Sequence, residues 1–387
     1  MENLLELLNL SEPEFIKFWY DISLIESPTE YKTGVDSVAE RFVSFANKMN
    51  WQVEKLELDT VGDPVVITMN HASFKRPISL SGHIDTVHSV GSFGEPCVRI
   101  ENNKMFGPGV MDCKGGTVAA LYAMYVLDRI GYNERPIQLL LQTDEEVNSL
   151  LSDKKTIEYI CDKAKDSEFF LNCESIKGDT AVLFRKGIIR FCFKIKGKAI
   201  HASRCAEGGA SAILDAAHKI IKLEGFKDND GITCTCGIIN GGSKPNTVPE
   251  YCEFIAEFRF ASEDQLQVIR RFVDDLAKNN LPECSTSVEE IGFRYAMEKN
   301  ENNYKLLESL NEIYKRHNLP VLSSRGSLGG SDAADVTVKG IPCIDSIGVA
   351  GDFIHTASEF AYISSLKEAA SRIAYAIYYF DEQKEIL

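Results

Sequence analysis

The stretch PISLSGHIDTV, residues 77–87, decides how this chain reads. Pro77 to Gly82 is a short apolar run bounded by proline and glycine, the pattern of a strand buried on both faces. His83 and Asp85 follow at once. They lie two apart, so in an extended segment their side chains point to one side. In open α/β sheets, ligand sites form just beyond the carboxyl ends of such strands. The arrangement recurs along the chain. IQLLLQ (137–142) runs into TDEEV, EFFLN (168–172) runs into Cys173 and Glu174, and IPCIDSI (341–347) runs into GVAGDFIHTASEF (348–360). Residues 36–49 have helical spacing, and 115–130 form a small-residue helix opening with Gly115-Gly116. Strands separated by helices predict an α/β unit, a mostly parallel sheet with helices on both faces.

The texture changes near residue 185. RKGIIRFCFKIKGKAIHAS (185–203) alternates, as a half-buried strand does. A helix at 208–223, TCTCGIINGG, the alternating EYCEFIAEFRF, a helix at 262–279 and a strand at 285–293 complete a small α+β sandwich. A helix at 302–318 and the buried-strand pattern of KGIPCIDSIG then resume the first texture. The expected organisation is one domain of residues 1–184 and 296–387, with a second domain, 185–295, inserted into it. A length of 387 residues suits two domains.

Apolar residues make up 44% and charged residues 26%, a folded, globular composition. Lys plus Arg is 42 and Asp plus Glu is 57, so the net charge is −15. That sign argues against nucleic acid or an anionic membrane as partner, and leaves room for a small substrate. No apolar run approaches the ~20 residues of a membrane helix. The opening MENLLELLNLSEPEF is acidic and reads as an amphipathic helix, not as a signal peptide. Eleven cysteines, an odd number, are expected as reduced thiols in a cytoplasmic protein. Cys234 and Cys236 have no matching second pair, so no zinc knuckle is expected there.

Each candidate functional residue has a bland reading by itself. His83 could be a satisfied core histidine, the acids of TDEEV a solvated turn, Glu174 a surface acid, His355 a structural histidine, and His88 a loop residue. GPGVMDCKGG (107–116) could be a glycine turn capped by Asp112. It is no phosphate loop, because Lys114 is not followed by Ser or Thr and the glycine spacing is wrong. The coincidence changes the odds, since every one of these groups follows an apolar strand or a glycine turn. His83, Asp112, Glu146, Glu174 and His355 supply two imidazoles and three carboxylates. That set suits two borderline divalent ions with one shared carboxylate, and exceeds the needs of one tetrahedral zinc. Adjacent Glu145 and Glu146 can divide labour between base and ligand.

These segments, in this order, resemble the di-zinc metallopeptidase family that includes glutamate carboxypeptidase, aminoacylase, acetylornithine deacetylase and succinyl-diaminopimelate desuccinylase. SGHIDTV, GPGVMDCKGG, TDEEV, LNCES, GKAIHAS, GGSKPNTVP, EFRF, GGSDAADV and GVAGDFIHTASEF carry the resemblance, which spans residues 81–360. GPG and the GVAGDFIH tail look most like the glutamate carboxypeptidase branch. The resemblance implies that His83 binds one metal with Asp85 orienting it, and that Asp112 bridges two ions beside a cis peptide to Cys113. Glu146, Glu174 and His355 would complete the ligand set, zinc by preference, with manganese or cobalt also fitting. Glu145 would be the general base toward a metal-bridging water, and His201, Asn246 and Arg259 would contact substrate. The implied reaction is cleavage of an amide bond in a small peptide or N-acyl amino acid, as a peptidase or as a deacylase. The implied assembly is a homodimer through the inserted domain, with the FCFKIKGK strand offering its edge. Asn148 stands where glycine is common in the family, and Ser175 where proline is; neither change removes a donor.

Overall fold

The computed structural model describes residues 3–227 and 231–386, and the side chains of that range up to Glu382. The contacts divide the chain into two compact units. The first comprises Met1–Leu183, Lys299–Gly326 and Ser331–Leu387; the second comprises Phe184–Glu298 and Ser327–Gly330.

The first unit is built on an eight-stranded sheet. Its strands lie in the order Gln52–Lys55, Val65–Met69, Ile137–Gln142, Ile78–His83, Phe169–Asn172, Cys343–Asp345, Thr180–Arg185 and Ser323–Ser327. The four strands from Ile137–Gln142 to Cys343–Asp345 run parallel. Parallel strands have their carboxyl ends at one edge of the sheet. The segments after Gln142, His83, Asn172 and Asp345 therefore leave side by side, although they are far apart in sequence. The helices Leu4–Ser23, Lys114–Arg129 and Ser364–Ile386 pack on one another, and Lys114–Arg129 packs on the central strands. Their apolar faces bury Phe15, Trp19, Leu121 and Ile373 fully. A small second sheet joins Gly351–Asp352, Phe360–Tyr362, Lys104–Phe106 and Arg99–Glu101, in that order.

The second unit is a four-stranded antiparallel sheet in the order Thr233–Gly241, Tyr251–Phe260, Gly187–Lys196, Ser285–Arg294. Helices Ala212–Glu224 and Glu263–Lys278 pack against it. Phe193 and Phe254 stack at 4.7 Å in its core. The strand carrying FCFKIK is not an edge, because Tyr251–Phe260 and Ser285–Arg294 pair with it on its two sides. The edges are Thr233–Gly241 and Ser285–Arg294.

Candidate active site

Three of the donors leave neighbouring strand ends. His83 closes the strand Ile78–His83, Glu145 and Glu146 follow Ile137–Gln142, and Glu174 follows Phe169–Asn172 by two residues. Asp112 arrives from the glycine-rich loop just ahead of helix Lys114–Arg129. That helix begins hard against the backbone of Cys173: a Cβ at Gly116 would stand 1.7 Å from the Cys173 carbonyl oxygen. Only glycine permits that approach, which brings Asp112 beside Glu174.

The carboxylate of Asp112 stands between two imidazoles. Oδ1 is 3.2 Å from His83 Nε2 and Oδ2 is 3.2 Å from His355 Nε2. His83 Nε2 lies 3.6 Å from Glu174 Oε1, and His355 Nε2 lies 3.3 Å from Glu146 Oε2. The cluster thus has two sides, His83 with Glu174 and His355 with Glu146, sharing Asp112. Ligand atoms of His83, Asp112 and Glu146 also fall within 4.8 Å of one another, a third way to group the donors. The side chains of His83, Asp112, Glu146 and Glu174 are 1%, 10%, 5% and 12% exposed, whereas His355 is 54% exposed, which leaves an approach from solvent. The Asp112–Cys113 peptide bond is cis. Asn148 takes the left-handed conformation, φ 58°, that a glycine would take there.

Asp85 is fully buried and ties two loops together. Its backbone carbonyl lies 3.0 Å from His83 Nδ1, and its carboxylate lies 3.4 Å from the same nitrogen. An Nδ1–H committed to that side leaves Nε2 to face Asp112 as a ligand. The Asp85 carboxylate also accepts from the backbone N–H of Glu145 at 3.3 Å and Glu146 at 3.2 Å, and from the Thr29 hydroxyl at 2.8 Å. Sequence reasoning missed Thr29, because nothing in SPTEY signals a contact with a residue 56 positions away.

The electrostatics fit a cation site. Burial, together with the charges of Asp112 and Glu145, pushes Glu146 up to about 7. Burial and Asp112 likewise raise Glu174. Burial also acts upward on Asp112, but hydrogen bonds from His355 and His83 hold it below the usual carboxylate range. Hydrogen bonds to Asp112 and Glu146 raise His355 to about 10. Three carboxylates held together largely out of water are a donor set for divalent cations. Cys113 also lies near His83 and Glu174. Its sulfur accepts from the His83 N–H at 3.3 Å, and burial pushes its thiol up to about 12.

A consequence for metal uptake can be measured. Glu146, near 7, and His355, near 10, must give up protons to become ligands. Zinc added to metal-free protein in weak buffer at about neutral pH should therefore acidify the solution. Apparent affinity should rise with pH up to roughly the His355 value. Uptake without proton release would remove these two groups from the ligand set.

The second unit carries the three predicted substrate contacts. His201 and Asn246 are brought together: the Ala202 N–H donates to the Asn246 carbonyl at 2.8 Å, and His201 bridges Thr247. Both side chains are exposed, with His201 Nδ1 2.8 Å from the Ser203 hydroxyl. Arg259 is not with them. It pairs with Ile188 and Thr233, whereas Tyr251, at the other end of the same strand, pairs with Lys196. Eight residues at ~3.3 Å each separate those ends by roughly 26 Å. The Arg259 guanidinium binds Glu257 at 2.7 Å and the Leu328 carbonyl at 3.1 Å.

The sequence profile of peptidase family M20/M25/M40 matches residues 79–379. The chain belongs to this family. M20 members are metal-dependent hydrolases of peptide or amide bonds, and the chain is such a hydrolase. It is 26% identical over 363 residues to carboxypeptidase G2 of Pseudomonas sp. (strain RS-16), covering 92% of this chain and 86% of that one. It is 23% identical to succinyl-diaminopimelate desuccinylase of Rickettsia bellii, covering 84% and 86%. The fold matches a solved tripeptidase from Staphylococcus aureus with a TM-score of 0.77 at 22% identity, covering 95% and 97%. No described helix is long and apolar enough to cross a membrane.

Proposed function

We propose that this M20 chain is a two-metal hydrolase that cleaves the amide bond of a small peptide or N-acyl amino acid. The observation that carries the reading is the Asp112 carboxylate, one oxygen toward His83 and the other toward His355. His83 and Glu174 would hold one ion, His355 and Glu146 the other, with Asp112 shared. Bound there, divalent ions supply a lowered water pKa and positive charge for the developing oxyanion.

The chain's own residues do the rest. Glu145 is half-buried, its backbone amide anchored by Asp85, and adjoins the ligand Glu146. That placement suits a base which takes a proton from the attacking water and passes it to the leaving nitrogen. Asp85 fixes the His83 ring and the two glutamates in one register. His201 and Asn246 would donate to the oxyanion and substrate. Arg259 would meet a substrate carboxylate with the N–H groups that Glu257 and Leu328 leave over. Eleven thiols without a disulfide suit a cytoplasmic setting. Dipeptides and N-acyl amino acids, screened after loading with zinc, manganese or cobalt, test the reading and separate peptidase from deacylase. No turnover of any amide would sink it.

Two features support a homodimer through the second unit. The edge strand Thr233–Gly241 exposes Ile238 and Ile239, and helix Ala212–Glu224, packed on it, exposes Ile213, Leu214 and Ile221. Such an edge, apolar and unguarded by charge, recruits a like strand, and a second copy supplies one by twofold symmetry. His201 and Asn246 also lie in loops that leave the sheet at the Lys196–Tyr251 end, roughly 26 Å along the strand from Arg259, an arrangement that does not suit one small substrate touching both within one copy. In a dimer, His201 of one copy serves the metals of the other. His201→Ala and Glu145→Gln proteins, each inactive, should therefore regain activity when mixed and allowed to exchange subunits, because one site of the mixed dimer is intact. No recovery despite proven exchange would exclude the arrangement.

A further inference from the structure

The two sides of the donor cluster reach the site from segments far apart in the chain, and one buried side chain touches both segments. The small sheet pairs Phe106 with Phe360, so the loop carrying Asp112 leaves one strand just where the segment carrying His355 enters its neighbour. Glu359, four residues after His355, is fully buried at that junction. Its Oε1 accepts from the backbone N–H of Met111 at 2.9 Å and of Asp112 at 3.2 Å. Its Oε2 lies 2.7 Å from His88 Nε2, with the Gly109 N–H at 3.4 Å. Its backbone carbonyl accepts from the Gly107 N–H at 3.3 Å. His88 is buried too, edge-on to Phe93 at 4.9 Å.

A buried carboxylate is costly unless donors surround it. Here backbone N–H groups of the loop and one imidazole surround both oxygens. The amide held by Oε1 belongs to Asp112 itself, whose carboxylate must lie 3.2 Å from imidazoles on two sides. Ligand constellations tolerate displacements of only ~0.5 Å, and groups that orient ligands are worth ~10–100-fold in metal affinity or activity.

We infer that Glu359, braced by His88, is the positioning residue that sets the placement of Asp112 against His355 and thereby the affinity of the cluster for divalent ions. The inference rests on the metal-site reading above. Both carboxylate oxygens of Glu359 must accept, because each faces N–H donors. Glutamine would turn an NH2 group toward loop N–H groups or toward His88, pushing the loop away while keeping the volume.

Zinc titration of metal-free protein against a colorimetric chelator tests this without turnover. Glu359→Gln should weaken zinc binding ~10–100-fold. His88→Leu should weaken it in the same direction, and His88→Gln, whose amide can still donate to Oε2, should bind close to the parent. Asp215→Asn, which removes a buried ion pair with Lys219 in the second unit, should lower the melting temperature and leave zinc affinity unchanged. Parent-like affinity in Glu359→Gln, while Asp112→Asn loses zinc, would overturn the inference and spare the metal site. Retention of zinc by Asp112→Asn would overturn the metal-site reading itself. If Glu359→Gln does not fold, equal zinc affinities in His88→Leu and His88→Gln overturn the inference.

Discussion

Replacing Glu145 by glutamine is expected to cut turnover by ~10²–10⁴ or more, with the protein still taking up its full complement of metal. Glutamine matches glutamate in shape, and the backbone amide of residue 145 keeps its bond to Asp85 at 3.3 Å. The loop therefore keeps its register, and Glu146, its oxygen 3.3 Å from His355, stays in place. What disappears is a group able to accept a proton from water and return it to the leaving nitrogen. The loss should fall on kcat more than on KM, because a proton acceptor acts in the transition state and adds little to ground-state binding. Metal analysis beside steady-state kinetics checks this. A variant that lost metal instead would show that Glu145 and Glu146 have the opposite roles.

Asp112→Asn should do the reverse and more. Asparagine keeps the size of the side chain but carries no charge, and it can offer an oxygen to only one of the two imidazoles. Both sides of the cluster lose their shared anion, so zinc affinity should fall beyond the ~10–100-fold typical of a group that merely orients a ligand, and turnover should fall with it. His355→Ala should empty one side only, because His83, Glu174 and Asp112 remain. Metal content after equilibrium dialysis separates the two cases. Equal loss in both variants would mean that Asp112 is not shared.

The strands that carry the site were legible because burial on both faces leaves an unbroken apolar run. IQLLLQ gives the strand Ile137–Gln142, and EFFLN gives Phe169–Asn172. The run VVITM, Val65–Met69, is buried throughout as well, but no motif of the kind that follows those two strands marks its end. Helix Lys32–Lys48 starts four residues before the predicted point. Its N-cap, Tyr31, makes no side-chain capping bond, so no start signal exists to be read. The edge assigned to FCFKIKGK failed for another reason. Alternation tells which face of a strand is buried, not how many neighbours pair with its backbone, and those neighbours begin at Tyr251 and Ser285. Metal-type donors stood out because carboxylates and imidazoles at strand ends are chemically conspicuous. Glu359 and His88 did not, since their bond spans 271 residues and each alone resembles any loop acid or loop histidine.

Anomalous diffraction at the zinc edge, from crystals of the zinc-loaded protein, tests the central claim most directly. The account predicts two peaks per chain flanking the Asp112 carboxylate, one beside His83 and Glu174 and the other beside His355 and Glu146. A single peak in fully loaded protein, or a pair of peaks that Asp112 does not separate, would contradict it.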